Sequence, residues 1–303
     1  GIWGSDVHGI AGHTGRRAVG QIMGHETCGV VIQAADDVPA ELIGRFGAIN
    51  PVMSCGECVW CQSGQEQVCR EVWILGVEPE IDAAFAEEVV VPVNSFVPLD
   101  GLEDSALGAL VEPLAVGFHA ARQAVINSDS RVLVIGAGPI GQASALGAQA
   151  LGCPSPVLIE PAPARRSVVE DLGLSVLDSD LSDDDIIKEL GGLPNVVIDA
   201  VGASATFNRA VVISDVRAEI VLVGMASPDV EAPAYEISTK ERRVAGSYCY
   251  SRGSFDAAAR WLEANQSKAR KILDSRVAID QAPDVVRGLA IGNHDLNKAV
   301  IVL

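Results

Sequence analysis

Four cysteines in one short segment have the spacing of a metal site. Cys55, Cys58, Cys61 and Cys69 form two successive C-x-x-C steps followed by a longer return. Four thiolates around one ion make the closed tetrahedral arrangement of structural zinc. An iron–sulfur cluster is the competing interpretation, although the third gap is long for the bacterial ferredoxin pattern. We therefore predict a structural zinc that orders a loop and performs no chemistry.

A glycine-rich segment has the pattern of a dinucleotide-binding loop. The run Gly136-Ala137-Gly138-Pro139-Ile140-Gly141 matches G-x-G-x-x-G between a predicted strand at 131–135 and a predicted helix at 140–151. The first glycine makes the turn, the second lets the backbone approach a pyrophosphate, and the third lets helix and strand pack closely. We predict that Gly136, Gly138, Pro139, Ile140 and Gly141 contact the cofactor.

A carboxylate follows the glycine loop at the sequence separation typical of a residue that binds the adenosine ribose. Glu160 ends the next predicted strand, 19 residues after Gly141. There it can accept hydrogen bonds from the adenosine ribose diol and repel a 2′-phosphate, which favours NAD over NADP. Arg165 and Arg166 follow closely and are the groups that would instead hold a 2′-phosphate. NADP therefore remains the less favoured alternative.

Three polar clusters lie beside apolar runs outside this loop. They are Gly4-Ser5-Asp6-Val7-His8, Gly24-His25-Glu26 and Val111-Glu112-Pro113. Each one alone is ambiguous, because a single His-Glu pair is usually an ordinary surface pair. Together they supply one imidazole and two carboxylates, a set that can form an open zinc site.

The hydrophobic pattern predicts the elements that position these residues. The first third has short β-branched runs, at 29–32 and 88–93, typical of short strands. Strands at 131–135, 156–160, 195–199 and 219–223 then alternate with helical segments, which indicates βαβ crossovers and a parallel sheet. Helices at 255–264 and 282–290 and a strand at 298–303 complete the chain. The predicted fold class is α/β.

Composition excludes several kinds of partner. The 303 residues include 40 Asp or Glu and 22 Lys or Arg, a formal charge of −18 that repels nucleic acid and anionic lipid. An apolar content of 49% supports a substantial core, and the length suggests two domains. The apolar stretch 132–152 contains glycines and a proline, so a strand and a turn explain it better than a membrane span. We expect a cytoplasmic protein that binds neither nucleic acid nor membrane.

The motifs together resemble the zinc-dependent medium-chain dehydrogenases, in the sorbitol and 2,3-butanediol dehydrogenase branch. They occur in family order over nearly the whole chain and end with Gly246-Ser247-Tyr248-Cys249-Tyr250. The resemblance implies a Rossmann doubly wound domain at 113–248 and a GroES-like catalytic domain at 1–112 and 249–303. It also implies a homodimer or homotetramer. Family members have additional strands before the Gly-Ser-Asp segment, so we expect a shortened chain.

The resemblance further implies the roles of individual residues. His25 and Glu112 would ligate a catalytic zinc, and Glu26 would be a nearby or alternating ligand. Asp6 would accept the second ring proton of His25, and Ser5 and His8 would relay a proton to solvent. Four residues at strand ends would lie near the nicotinamide: Val201, Gly202, Val223 and Ser247. The implied function is NAD-dependent oxidation of a secondary alcohol or polyol, such as 2,3-butanediol or sorbitol, by zinc-assisted hydride transfer.

One position departs from the family pattern. The family has a cysteine ligand where this chain has Trp3, and an indole has only a donor N–H. Three outcomes stay open: a zinc ion bound weakly by an oxygen-rich set of ligands, an empty site, or a local rearrangement in which Trp3 faces away from the metal. The alternative function is a catalytically impaired homologue that binds NAD and keeps only the structural zinc. Zinc-free quinone or enone reductases fit less well, since those relatives lack the four-cysteine loop.

Overall fold

The computed structural model describes residues 1–2, 4–10, 18–79, 81–290 and 297–303, with the backbone alone at positions 5, 8 and 290. The chain divides into two compact units, each of which is described by itself. One unit comprises Gly1–Glu112 and Ser251–Leu303, and the other comprises Pro113–Tyr250. Within the described residues, no helix has the length and apolar character needed to cross a bilayer.

The elements are numbered in chain order. The strands are β1 (Thr27–Val30), β2 (Phe46–Ile49), β3 (Val52–Met53), β4 (Trp73–Ile74), β5 (Phe96–Pro98), β6 (Val132–Ile135), β7 (Val157–Ile159), β8 (Ser175–Leu177), β9 (Val196–Asp199), β10 (Glu219–Leu222), β11 (Arg243–Gly246), β12 (Ser275–Ala278) and β13 (Ala299–Val302). The helices are α1 (Gly4–Ile10), α2 (Val59–Gln62), α3 (Val111–Arg122), α4 (Pro139–Ala150), α5 (Pro163–Asp171), α6 (Asp183–Glu189), α7 (Ser204–Ile213), α8 (Ala234–Thr239), α9 (Arg252–Ala264), α10 (Gln266–Ile272) and α11 (Ala282–Ala290). Short 3₁₀ turns cover Ala40–Leu42, Glu66–Val68, Val93–Ser95 and Ser105–Leu110.

The unit formed by Pro113–Tyr250 is built on a parallel sheet with the strand order β11-β10-β9-β6-β7-β8. The first strand, β6, has β7 on one side and β9 on the other, so the order reverses at β6. Strands β6, β7 and β9 are buried along their whole length, as expected of a parallel sheet in an α/β protein. The predicted doubly wound sheet is confirmed, and the apolar stretch 132–152 contains β6, the glycine turn and α4.

The core of this unit joins the strands to the helix that follows β9. Leu133, Val197 and Ile220, from three neighbouring strands, form one buried cluster with Phe207 and Val211 of α7. Their exposures are at most 3%. Full burial of each side chain of this size contributes about 1.5–3 kcal/mol, so the cluster fixes the strands whose ends carry the predicted cofactor residues.

The other unit is rich in short strands. Strands β1, β2 and β5 form an antiparallel sheet, β3 pairs with β4 antiparallel, and β12 pairs with β13 in parallel. The predicted strand at 88–93 is wrong, because the chain is irregular up to Pro92 and β5 begins only at Phe96. Pro92 has no N–H to donate to a neighbouring strand, which explains the failure.

The chain segment before α1 is held against the last strand. The Ile2 N–H donates to the Ala299 carbonyl oxygen at 3.0 Å. The Ile2 side chain is buried with Val277 and Val286, beneath the β12–β13 pair and α11. This packing positions α1, which carries Asp6, within the same unit that contains His25 and Glu26 immediately before β1.

Candidate functional sites

The sulfur atoms of the four cysteines converge. The Sγ–Sγ distances are 3.5 Å for Cys58–Cys61 and Cys69–Cys55, and 3.8 Å for Cys55–Cys61 and Cys58–Cys69. A tetrahedron with metal–sulfur bonds of about 2.3 Å has edges of about 3.8 Å, so this spacing suits one zinc ion. An iron–sulfur cluster attaches its cysteines to different iron atoms and needs wider separations. The four cysteines therefore form a site for a single ion with no open position.

Backbone contacts hold this four-cysteine loop in shape. The N–H of Cys58 points to Cys55 Sγ, and the N–H of Glu71 points to Cys69 Sγ, both at 3.4 Å. The Glu66 carboxylate, within the loop, accepts from the Arg252 N–H at 3.2 Å. This contact attaches the loop to the first residue of α9.

His25 lies in a buried, acidic environment. Its Nδ1 atom lies 3.5 Å from Asp6 Oδ1, and the two residues are 4% and 0% exposed. Burial disfavours the charged imidazole, but the carboxylates of Asp6, Glu112 and Glu26, with Asp6 the largest of the three, together outweigh this effect and raise the pKa of His25. Since Nδ1 faces Asp6, the predicted metal ligation by His25 would use Nε2.

Glu26 has a partner that the sequence did not suggest. Lys298 Nζ donates to Glu26 Oε1 at 2.5 Å, and both side chains are buried. The signal for Lys298 in the sequence is weak: a lysine directly before an apolar strand, which usually lies at the surface. The fold instead buries this lysine to 2% exposure beside Glu26.

The predicted catalytic ligands do not form a closed set. In the part of the chain that the structure describes, the Cys55, Cys58, Cys61 and Cys69 group alone has three or more ligand atoms all within 4.8 Å of one another. Glu112 is 7% exposed in the first turn of α3, near enough to His25 to influence its pKa. Trp3 lies outside the described residues, as do the side chains of Ser5 and His8. The metal roles of His25, Glu26 and Glu112 stay predictions.

The predicted dinucleotide loop lies between β6 and α4. Gly136 has a φ of +92°, and a Cβ there would lie 2.7 Å from Val201 Cγ2. A Cβ on Gly141 would lie 1.8 Å from the Gly136 carbonyl oxygen, so only glycine fits at this crossing. Pro139 is the first residue of α4, directly after Gly138 and before Ile140. The loop therefore leads into the start of a helix, which is a common position for pyrophosphate binding in proteins. The cofactor contacts of these residues stay predictions.

Glu160 lies beside this loop. Its carboxylate, on a residue 3% exposed, accepts from the Ala137 N–H at 2.8 Å and from the Ala162 N–H at 3.1 Å. Arg165 Nη1 is 3.9 Å from Glu160 Oε1. Arg166 donates to the carbonyl oxygens of Glu160 and Pro161 and pairs with Asp178 at 3.0 Å.

The strand-end residues are held by a carboxylate that sequence reasoning missed. Asp199 is fully buried and accepts from the N–H groups of Val201 at 2.9 Å and Gly202 at 3.0 Å, and from the Thr206 hydroxyl at 3.0 Å. Burial raises the pKa of Asp199, although these hydrogen bonds oppose the shift. The available signal was an acidic residue at the end of an apolar strand and directly before a turn.

The other predicted strand-end residues lie on neighbouring strands. The Val223 N–H donates to the Asp199 carbonyl oxygen at 3.1 Å, which joins β10 to β9. The Ser247 N–H donates to the Leu222 carbonyl oxygen at 2.9 Å, which joins the residue after β11 to β10. These contacts bring Val201, Gly202, Val223 and Ser247 to the carboxyl edge of the sheet.

Comparison with known proteins assigns two parts of the chain to known domain families. A family model described as the alcohol dehydrogenase GroES-like domain matches residues 1–101, and one described as zinc-binding dehydrogenase matches residues 139–264. The chain is 32% identical to L-galactonate-5-dehydrogenase of Escherichia coli K12 over 305 residues. This alignment covers 99% of this chain and 88% of that protein.

Solved structures have the same fold. The 2R,3R-butanediol dehydrogenase of Bacillus subtilis matches with a TM-score of 0.88 and 25% identity, over 100% of this chain and 90% of that one. An alcohol dehydrogenase of Escherichia coli CFT073 in complex with NADH matches with a TM-score of 0.89 and 25% identity, over 100% of this chain and 89% of that one. From the two matched domains and the extent of these similarities, we conclude that the chain is an oxidoreductase of the zinc-type medium-chain alcohol and polyol dehydrogenase family.

Proposed function

We propose that the chain oxidises a secondary alcohol or polyol, of the 2,3-butanediol or sorbitol kind, with NAD as the acceptor. The observation that carries this proposal is the buried His25–Asp6 pair next to the charge of Glu112. An imidazole whose Nδ1 faces a buried carboxylate is the arrangement typical of a metal-ligating histidine. Relatives named for the oxidation of hydroxyl groups on small polar molecules support the substrate class.

The residues divide the chemistry between them. His25 and Glu112 would hold the catalytic zinc, and the four cysteines would hold the structural one. When bound, zinc supplies a Lewis acid that lowers the pKa of the alcohol, and NAD supplies the hydride acceptor. Asp6, whose Oδ1 lies 3.5 Å from His25 Nδ1, would orient the neutral imidazole so that Nε2 can ligate the ion. Ser5 and His8 would carry the alcohol proton to solvent.

NAD rather than NADP is the proposed nucleotide. The buried Glu160 carboxylate would accept the ribose hydroxyls and repel a 2′-phosphate. Arg166, one of the two cations that could hold such a phosphate, is already engaged by two carbonyl oxygens and Asp178. Arg165 lies beside the Glu160 carboxylate, and there it would contact the adenosine end of NAD. Val201, Gly202, Val223 and Ser247 would contact the nicotinamide end.

A catalytically impaired homologue is the second candidate. Three observations favour it: Glu26 is paired with Lys298, the ligand atoms of His25, Glu26 and Glu112 are not all within 4.8 Å of one another, and Trp3 stands where the family has a cysteine. Such a protein would bind NAD and keep the cysteine-bound ion without turnover.

Metal analysis combined with an activity assay separates the two candidates. For the active enzyme we expect about two zinc ions per chain and formation of NADH with 2,3-butanediol or sorbitol. A single chelator-resistant zinc, with NAD binding but no NADH from any polyol or secondary alcohol tested, overturns the proposal. Sedimentation of the same sample tests the homodimer or homotetramer that we also propose.

A further inference from the structure

The side chain of Gln142 is buried against the predicted dinucleotide loop. Gln142 lies near the start of α4 and is 0% exposed. Its Nε2 atom donates to the Ala137 carbonyl oxygen at 2.8 Å, and its backbone N–H donates to the Gly138 carbonyl oxygen at 3.0 Å. One residue of the helix therefore fixes two successive carbonyl groups of the loop.

The planarity of the peptide bond turns this contact into a direction for an N–H group. In a trans peptide, a carbonyl oxygen and the N–H of the next residue point in opposite directions. Because Gln142 Nε2 holds the Ala137 carbonyl oxygen, the Gly138 N–H points away from that amide group. Gly138 also has room beside it, since a Cβ built there would meet no atom of a more distant described residue within 4 Å. A phosphate can therefore approach this backbone closely.

The two residues beside Gly138 offer no comparable donor. Ala137 donates its N–H to the Glu160 carboxylate at 2.8 Å, and Pro139 has no N–H. Rotation of the peptide between Ala137 and Gly138 would aim the Gly138 N–H elsewhere, and the contact with Gln142 opposes that rotation.

We propose that Gln142 is a positioning residue that aims the Gly138 N–H at the pyrophosphate of NAD. The inference rests on the proposed nucleotide site, and it extends the glycine motif by one residue. A different role for Gln142 would be to satisfy a buried carbonyl group and nothing more. In that case its loss would destabilise the unit that contains α4 and would affect every nucleotide ligand alike.

Three ligands separate the two roles. NADH and ADP-ribose contain the pyrophosphate, whereas adenosine contains the ribose and the base without it. The dissociation constant of NADH is measured from its fluorescence in the full chain, and those of ADP-ribose and adenosine are measured by competition with NADH. Gln142→Met keeps the length of the side chain and removes the donor. Ser144→Ala removes another buried polar group from the same helix and is the matched control.

The expected results differ between the variants. In Gln142→Met, the dissociation constants of NADH and ADP-ribose should rise about tenfold, because the phosphate loses an aimed hydrogen bond, and adenosine should bind as in the wild type. Ser144→Ala should leave all three constants unchanged. Glu160→Gln should weaken adenosine as well, because that carboxylate is the proposed partner of the ribose. If Gln142→Met does not fold, Gln142→Asn takes its place, since it stays polar but is too short for the same contact.

A spectroscopic measurement on the wild type tests the direction of the Gly138 N–H. With alanine labelled at the ¹³C carbonyl and glycine labelled with ¹⁵N, the three Ala–Gly dipeptides of the chain give separate signals. Gly138→Ala assigns the signal of the peptide between Ala137 and Gly138. The Gly138 amide signal should shift with ADP-ribose and stay in place with adenosine.

Three results overturn the inference. One is a folded Gln142 variant that binds NADH and ADP-ribose as the wild type does, and another is a variant that loses adenosine to the same extent. The third is a Gly138 amide signal that does not respond to ADP-ribose. A wild type that binds no NADH refutes the proposed nucleotide site itself, whereas a wild type that binds NADH beside an unaffected Gln142 variant refutes the role of Gln142 alone.

Discussion

The Glu160 carboxylate accepts a hydrogen bond from the Ala137 N–H at 2.8 Å and thereby links the end of β7 to the glycine loop after β6. Its other oxygen accepts from the Ala162 N–H at 3.1 Å. The two contacts orient the carboxylate before a nucleotide arrives. Preorganisation of this kind raises affinity, because the side chain has little freedom left to lose on binding.

Glu160→Gln should therefore weaken NAD binding and relax discrimination against NADP. The amide presents an N–H₂ group to one of the two backbone donors and removes the charge that repels a 2′-phosphate. We expect kcat/KM for NAD to fall about tenfold, and the NAD to NADP ratio of kcat/KM to fall with it. Glu170→Gln, at an exposed position of α5, is the matched control. An unchanged ratio in Glu160→Gln contradicts the assignment.

Asp199 should act through its hydrogen bonds more than through its charge. Asp199→Ala leaves the Val201 and Gly202 N–H groups without an acceptor, and we expect the free energy of unfolding to fall by about 3 kcal/mol. Asp199→Asn keeps one oxygen for those donors and offers an N–H to the Thr206 hydroxyl, so the loss should be less than half as large. Urea denaturation followed by circular dichroism measures both values. Equal losses would show that the charge is what matters.

Cys61→Ser should remove the tightly bound ion, because a closed tetrahedral site loses one of its four ligands. We expect about one zinc fewer per chain and a lower melting temperature, since metal binding free energy contributes to folding. Cys153→Ser is the matched control: this buried thiol donates to the Ser130 carbonyl oxygen at 3.4 Å, far from the other cysteines in the sequence. Elemental analysis after dialysis against a chelator gives the zinc count. A full zinc count in Cys61→Ser is inconsistent with the four-cysteine site.

His119 should make the protein less stable in acid. It is 4% exposed in α3, and its Nε2 lies 2.9 Å from Gln123 Nε2. Burial, with a smaller effect from the positive charge of Arg122, lowers the pKa of His119 to about 4. In the unfolded chain its pKa is about 6.5, so below that pH the unfolded state binds the additional proton. The contribution of His119 to stability is therefore complete above about pH 6.5 and is lost as the pH falls towards 4.

The measurement compares the wild type with His119→Gln at several pH values. Between pH 7 and pH 4.5, we expect the wild type to lose about 2 kcal/mol more of its free energy of unfolding than the variant. The difference between the two proteins cancels the other titrating groups, His25 among them. If the free energy of unfolding of the two proteins changes with pH in parallel, His119 is protonated without penalty in the folded state.

Trp3→Cys restores the residue type that the family has at this position. If the indole blocks the catalytic zinc, the substitution should raise both zinc content and NADH formation, because a thiolate is a strong ligand. Trp3→Ala is the control, since it removes the indole without adding a ligand. No change in either quantity means that position 3 does not correspond to the family's cysteine.

Motifs with short sequence separation were predictable. The four cysteines, the glycine loop and Glu160 each lie in or beside one loop, so their spacing alone specifies the local geometry. The buried strands of the parallel sheet were predictable for a similar reason, because continuous apolar runs leave few other folds. The strand predicted at 88–93 failed because β-branched composition suggested a strand where Pro92 prevents regular pairing.

Contacts between distant segments were not predictable. Lys298 and Glu26 are 272 residues apart, and nothing in either local sequence indicates the other. Asp199 is close to the residues it holds, but its role depends on burial by neighbouring strands and helices. In both cases a charged side chain is buried because the fold supplies its partners, which hydrophobic periodicity does not reveal.

The four-cysteine site and the surroundings of His25 differ in how soon a growing chain can assemble them. The outermost cysteines are 14 residues apart, so a nascent chain can take up zinc there soon after Cys69 leaves the ribosome. The environment of His25 is complete only after synthesis has reached Lys298, when Glu26 acquires its ammonium partner. Closing so long a loop is entropically more demanding than closing the cysteine loop. The four-cysteine site can therefore form early in biosynthesis, whereas the surroundings of His25 await a contact between residues that are 272 positions apart.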